Sequence, residues 1–271
     1  MLFRSEMMLD ATQNADTPLS IERLFDWHAA LFPTGRSGMY KITVGNFRKD
    51  EKGPMQVVSG GIGKERVHFQ APNAERLAQE MADFILFFNK NKDIDPVLKA
   101  GIAHLWFVTL HPFDDGNGRM ARAIADMQLA KADNSTQRFY SMSAQIRIKR
   151  NSYYAILEQT QKGNLDITDW LKWFLICLEE ALDATASVLE RVLHKAHFWK
   201  KHAQTVLNER QILVLNRFMG DFEGKLSSSK WAKLAKCSND TALRDIQDLL
   251  NKNILQKEAS SGRSTSYVLV D

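Results

Sequence analysis

The sequence predicts a mainly α-helical core carrying one β-hairpin, followed by a small unit of three helices and a terminal hairpin. Three observations predict it. Apolar residues recur at helical spacing through most of the first 200 residues. A β-favouring, glycine-punctuated stretch interrupts them between residues 40 and 69. The last quarter then changes both rhythm and charge. With 271 residues, 44% hydrophobic and 25% charged, the chain can bury one sizeable core or two smaller ones, which excludes a disordered protein.

Residues 21–31 begin the helical pattern, with Ile21, Leu24, Phe25 and His28 at helical spacing behind Ser20, a fitting N-cap. Pro33, Gly35 and Gly38 end it. Short β-favouring pieces follow at residues 42–44, 57–58 and 67–69, the last two flanking Gly60-Gly61-Ile62-Gly63, and the natural reading is a flexible hairpin. Leu77, Met81, Phe84, Ile85 and Phe88 form one stripe of a helix expected over 73–89. Further helices are expected over 96–110, 117–130, 141–161 and 168–194. His104 reads as a core histidine, and His68 in the hairpin as exposed. His194, His197 and His202 lack the carboxylate or cysteine that would complete a metal site.

The tail suggests helices over 209–219, 229–235 and 239–251, then β-like segments over 254–258 and 266–270 flanking Ser261-Gly262. That order suggests a winged helix-turn-helix over 205–271, after a larger domain over 1–200 with its core at about 15–195. From Lys195 onward there are 13 Lys or Arg against 8 Asp or Glu, leaving 23 against 24 before it. The net charge of +4 therefore belongs to the tail. The third tail helix carries Arg244, Gln247 and Lys252 but also Asp240, Asp245 and Asp248, which weakens phosphate attraction. Lys225, Lys230, Lys233, Lys236 and Arg263 keep DNA binding open beside protein interaction or homodimerisation.

No apolar run is long enough for a membrane span, since the one around 171–178 holds Lys172 and meets Glu179 and Glu180. The first ten residues lack a signal-peptide pattern, and Cys177 and Cys237 stand apart as reduced thiols. The expected compartment is the cytoplasm, with no membrane partner.

The informative segment is His111-Pro112-Phe113-Asp114-Asp115-Gly116-Asn117-Gly118-Arg119-Met120-Ala121-Arg122. Pro112 stops the preceding helix and leaves His111 at its end. A new helix starts near Gly116-Asn117-Gly118. Its unpaired N–H groups and dipole make an anion site that the glycines let a phosphate approach. Arg119 and Arg122 lie on one side of its first turns and suit phosphate oxygens. Asp115 is a hard oxygen ligand that suits Mg2+ shared with phosphates. His111 can accept a hydroxyl proton near neutral pH, and together these groups predict attack on a phosphorus centre.

Those twelve residues resemble, position by position, the Fic family pattern His-Pro-Phe-x-(Asp or Glu)-Gly-Asn-Gly-Arg-x-x-Arg. The resemblance implies a Fic-fold helical core with a β-hairpin flap, and an adenylyltransferase moving AMP from Mg-ATP to a Ser, Thr or Tyr hydroxyl of a target protein. It implies that His111 is the base, Phe113 anchors the loop and Asp115 binds Mg2+. Gly116, Asn117 and Gly118 would hold the α- and β-phosphates, Arg119 the β-phosphate side and Arg122 the γ-phosphate. Gly61, Ile62 and Gly63 look like the tip of the flap that docks the target by strand addition. Tyr154 and Gln161 resemble adenine-pocket positions, Gln161 standing where many relatives have Asn. The family's inhibitory helix, Ser or Thr, three residues, Glu, then Gly or Asn, is matched only in part by Thr205–Arg210 and not within residues 1–20. The expectation is a chain lacking that segment, with Arg122 unrestrained. Two other readings stay open: a winged-helix regulator whose site merely binds nucleotide, and an enzyme using another nucleotide donor.

Overall fold

A computed structural model describes all residues except 1, 52, 62, 91–92, 134–137, 221, 259–264 and 271, and describes only the backbone of 2–5. The chain divides into two compact units, Met1–Ala184 and Thr185–Asp271. The first unit is mainly helical, as the sequence predicts. It holds α1 (Leu2–Gln13), α2 (Ile21–Leu31), the short pairs β1 (Arg36–Ser37) with β2 (Tyr40–Lys41) and β3 (Gln56–Ser59) with β4 (Arg66–Gln70), then α3 (Leu77–Lys90), α4 (Pro96–Leu110), α5 (Asn117–Asp133), α6 (Met142–Ile148) and α7 (Arg150–Lys162). Helix α8 (Thr168–Lys201) begins there and runs past the division between the units.

Local chemistry sets the helix starts. Ser20 Oγ accepts the Arg23 N–H at 3.2 Å, and Asp95 accepts those of Val97 and Leu98 ahead of Pro96, whose fixed φ suits a first turn. Helix α5 is the centre of the unit: most side chains from Met120 to Ala130 are buried, Asp126 and Gln128 among them, and Arg122 is the partly exposed one. Helix α4 packs along it through Ala100, Ala103, Phe107 and Leu110. Trp170 of α8 is fully buried and donates its indole N–H to Gly101 O at 2.8 Å. His104 is a core histidine, bonded through Nε2 to Tyr153 Oη at 2.9 Å and pushed down to about 3 by burial, then by the nearby Arg122 charge.

Three details depart from the sequence expectations. Helix α1 has no counterpart among them, because its apolar residues do not fall on one stripe. It is tied down by Asp10, which takes Arg23 Nε at 2.8 Å and Trp27 Nε1 at 2.7 Å, with Met7 and Ala11 buried. The single helix expected over 141–161 is broken at Lys149, which caps α6 and precedes α7. Residues 42–44 form no strand; the Thr43 N–H instead donates to Asp114 Oδ2 at 2.8 Å.

The second unit contains α9 (Glu209–Phe218), β5 (Leu226–Ser227), α10 (Ser228–Ala235), α11 (Asn239–Asn251), β6 (Leu255–Lys257) and β7 (Ser266–Leu269), with the antiparallel sheet ordered β5-β7-β6. Its core holds Val214, Leu215, Trp231, Ile246, Leu249 and Ile254. The expected turn at Ser261-Gly262, and Arg263, lie outside the described residues. Two of the three acids counted against phosphate attraction are engaged within the unit. Asp248 pairs with Lys252 at 2.5 Å, and the buried Asp245 receives Arg210 at 2.9 and 3.0 Å and Asn208 at 2.9 Å. Burial pushes the Asp245 carboxyl up, while Arg210 and Asn208 pull it further down, so it stays below its ordinary value. Asp245→Ala is expected to cost about 1–3 kcal/mol, since Arg210 is partly exposed and keeps some hydration. In the wild type this contribution is complete above the ordinary carboxylate pKa and is lost as pH falls through the lowered one. Hydrogen exchange of the α11 amides at pH 7 and pH 3 checks both.

Candidate functional site

Helix α4 ends at His111 in the left-handed region, φ 49° and ψ 53°, with its N–H on Phe107 O at 3.1 Å. A β-carbon in that conformation is crowded, so the surrounding structure must hold it. The imidazole Nδ1–H donates to Val108 O at 3.1 Å, which leaves Nε2 as the unprotonated acceptor. Burial lowers the imidazole pKa, the Val108 bond opposes this, Arg48 adds to the lowering, and Asp115 opposes it; the net direction is down. The ring is thus neutral, with one nitrogen available, at neutral pH.

Past Pro112, the Phe113 ring is fully buried and stacks on His28 with centroids 4.2 Å apart. Asn117 clamps the same residue from the other side of the loop: its Oδ1 accepts the Phe113 N–H at 3.0 Å and its Nδ2–H donates to Phe113 O at 2.7 Å. The amide side chain is therefore committed to closing the loop, and Asn117 faces an anion only through its backbone. Gly116 has φ 87°, and a Cβ there would stand 2.9 Å from Phe32 Cε2. Gly116→Ala is expected to lower stability by about 1–3 kcal/mol through strain and that clash; a thermal melt checks it. At Gly118 a Cβ would meet nothing within 4 Å. Arg119 and Met120 bond back to Gly116 O at 2.9 and 3.0 Å, while among the described residues the N–H groups of Asn117 and Gly118 find no acceptor. Two donors thus stand at the positive end of α5, with open space beside Gly118.

Asp115 stands at the edge of that space, its side chain 45% exposed. Its Oδ2 accepts from Ser37 Oγ, its Oδ1 takes the Gly116 N–H at 2.5 Å, and Arg119 lies 3.6 Å away. His28 holds its backbone: Nδ1 accepts the Gly45 N–H at 3.2 Å, so Nε2–H donates to Asp115 O at 3.1 Å. Among the described residues no group of three or more His, Cys, Asp or Glu forms a protein-only metal cage. A single half-exposed carboxylate beside an anion site fits a hard cation that takes its other ligands from phosphates and water.

Arg119, its guanidinium 4.6 Å from the Phe32 ring centre, lines a pocket of about 380 Å³ together with Arg122, Tyr153 and Tyr154. The structure thus brings Tyr154 to both motif arginines. It does not bring Gln161 there: Gln161 bonds Thr109 Oγ1 at 3.1 Å and lines a separate pocket with Trp106 and Ile167. The expected flap is the β3–β4 hairpin, paired from Gln56↔Gln70 to Ser59↔Arg66. Gly61 is exposed at its turn, the Gly63 N–H donates to Glu65 Oε1 at 2.9 Å, and Ile62 lies outside the described residues. His68 is half-buried, against the expectation of exposure, because Glu158 of α7 reaches its Nδ1 at 2.5 Å and Arg66 at 2.9 Å. Thr205–Arg210, the partial match to the inhibitory pattern, spans the approach to α9 and its first turn, with Asn208 as the cap.

Sequence reasoning missed His28, Ser37 and Arg48, which shape the loop from 63 to 87 residues away. His28 reads as one more stripe residue of α2, and nothing local marks Ser37 or Arg48.

The chain is similar to known proteins in sequence and in fold. The chain is 29% identical over 129 residues to protein adenylyltransferase fic-1 of Caenorhabditis briggsae, covering 47% of this chain and 24% of that protein. It is 32% identical over 114 residues to protein adenylyltransferase Fic of Drosophila yakuba, covering 41% and 21%. The chain thus spans about a quarter of the length of these relatives. In fold it is similar to a Fic family protein from Desulfovibrio desulfuricans G20, with TM-score 0.54, 21% identity and coverage of 98% of this chain and 73% of that one. A Fic domain containing signaling protein from Bacteroides thetaiotaomicron VPI-5482 gives TM-score 0.51 at 20% identity, covering 67% of each chain. The model of the Fic/DOC family matches residues 18–129, which contain α2 to α4, most of α5 and the whole twelve-residue motif. Residues 18–129 of this chain are a Fic/DOC family domain.

Proposed function

We propose that this chain is a protein adenylyltransferase, transferring AMP from Mg-ATP to a Ser, Thr or Tyr hydroxyl of a target protein and releasing pyrophosphate. The observation that carries the reading is the company His111 keeps: an imidazole with Nε2 available, followed within seven residues by two N–H groups at the start of α5 that find no acceptor among the described residues. His111 Nε2 takes the proton of the target hydroxyl, whose oxygen bonds to the α-phosphorus. The bond from that phosphorus to the bridging oxygen breaks, and pyrophosphate leaves. The N–H groups of Asn117 and Gly118 and the guanidiniums of Arg119 and Arg122 receive the phosphate charge. Asp115 would hold the Mg2+, which supplies charge neutralisation for the phosphates. Tyr154 offers its ring to the base. The relatives named as protein adenylyltransferases support this chemistry at the family level. The β3–β4 hairpin has a strand edge to offer an extended target segment.

Incubating the full chain with Mg2+ and ATP labelled at the α-phosphate tests the proposal. Label retained on protein, and lost with His111→Ala, is the expected result. Absence of label on the chain or on any protein of a lysate would sink it and leave the nucleotide-binding regulator.

That second reading draws on one observation. We read residues 205–271 as a small winged helix-turn-helix domain, from the order α9-β5-α10-α11-β6-β7, and 1–200 as the catalytic domain with its preceding helix. Asp245 and Asp248 are tied to Arg210 and Lys252, so the acids of α11 oppose a phosphate backbone less than the sequence suggested. Filter binding of duplex DNA across a salt series separates the outcomes, since backbone recognition weakens steeply with salt.

A further inference from the structure

Arg48 takes no part in the twelve-residue motif, yet its side chain is only 1% exposed and it grips the motif directly. Its Nε–H donates to His111 O at 2.8 Å, and its backbone N–H donates to Pro112 O at 2.9 Å. The other end of the same guanidinium bonds Pro72 O, two residues beyond β4, and Asp50 Oδ1. Asp50 in turn accepts the Ala74 N–H through Oδ2 at 2.7 Å. A buried cation is costly unless its donors are met, and here the acceptors come from three places: the end of α4, the exit of the β3–β4 hairpin and Asp50 ahead of β3.

The left-handed conformation of His111 is disfavoured for a residue with a β-carbon. It also bears on where the imidazole points, because from this cap Nδ1–H reaches Val108 O at 3.1 Å. Bonds to the carbonyls of His111 and Pro112 hold that turn closed. We propose that Arg48 is a positioning residue for His111, fixing the left-handed cap and tautomer of the base while the same guanidinium fixes the root of the hairpin. The inference rests on the reading of His111 as the base. One side chain thereby sets the distance between the proton acceptor and the element that would present the target. A lysine cannot replace it, since an ammonium lacks the planar fork that reaches both sides at once.

Arg48→Lys in the full chain is the test, with three readings. Long-range nitrogen–proton NMR of the His111 ring should show the wild type as the Nδ1–H tautomer and the variant as a mixture. Hydrogen exchange of the amides of β3 and β4 should rise with it. AMP transfer should fall about 10- to 100-fold in kcat, the penalty of a slightly misplaced group, with KM for ATP little changed. A variant that melts earlier yet keeps the wild-type tautomer and hairpin protection would overturn the proposal, because that is what a merely structural arginine would do. Should Arg48→Lys fail to fold, Asp50→Asn loosens the guanidinium without removing it, and the ring and hairpin signals must then move together. Hairpin exchange that rises while the His111 ring stays unchanged also overturns it. If the wild type transfers no label but these signals move as expected, the positioning stands and the transfer reading falls.

Discussion

Replacing His111 with asparagine is expected to lower AMP transfer by roughly 100-fold to 10,000-fold while leaving the fold in place. Asparagine is chosen because position 111 sits at φ 49°, a region that Asn tolerates better than Ala does. Arg48 would still find the carbonyl of residue 111, so the loop keeps its shape and the loss reports the missing base. Single-turnover labelling with α-labelled ATP measures the effect, and near-wild-type thermal melting shows that folding is unaffected. Wild-type pH dependence follows from the same residue. Burial holds the His111 pKa below the ordinary imidazole value. The base is needed neutral, so activity should persist below about pH 6.5 and decline only as the lowered pKa is crossed. An acid limb centred above that ordinary value would contradict this ordering.

The second large effect is on stability. Asn117→Ala should destabilise the first unit by about 2–5 kcal/mol, because it strands both the N–H and the C=O of Phe113 in a buried setting. Each of those groups now has one side-chain partner, at 3.0 and 2.7 Å. A urea titration should show an earlier midpoint, and phosphate affinity should fall as the start of α5 loses its register. Asn117→Asp is milder in shape but exchanges a donor for a charge at a 2% exposed site, so it should be no better tolerated. Loss of labelling in either variant would reflect a collapsed loop.

Helix bounds were legible where a cap and a stripe coincide. The expected limits of α2 and α4 match the structure because Ser20, Asp95 and Pro96 mark the starts and Pro33 and Pro112 lie just beyond the ends. Helix α1 is illegible because it is held by Asp10, Arg23 and Trp27 across a turn, an arrangement with no periodic trace. The motif places His111, Asp115 and the two arginines in one short segment by sequence alone. What it could not show is division of labour. Asn117 carries an amide that looks made for a ligand, yet the amide faces inward and holds Phe113. Gln161 shares α7 with Tyr154 but, seven residues on, lines another pocket. Ser37, His28 and Arg48 reach the loop only because the chain folds back on it, and no local pattern encodes such returns.

Gly118 gives the site an evolutionary reading. It lies in the first turn of α5 with nothing near a would-be Cβ, so the fold alone would be better served by alanine, which favours a helix by about 1 kcal/mol. The missing methyl leaves room only for something outside the chain. A descendant released from selection for anion binding would be free to accept Gly118→Ala and become more stable as it lost its trade. Under the proposed function, glycine at this position serves a bound phosphate and not the helix.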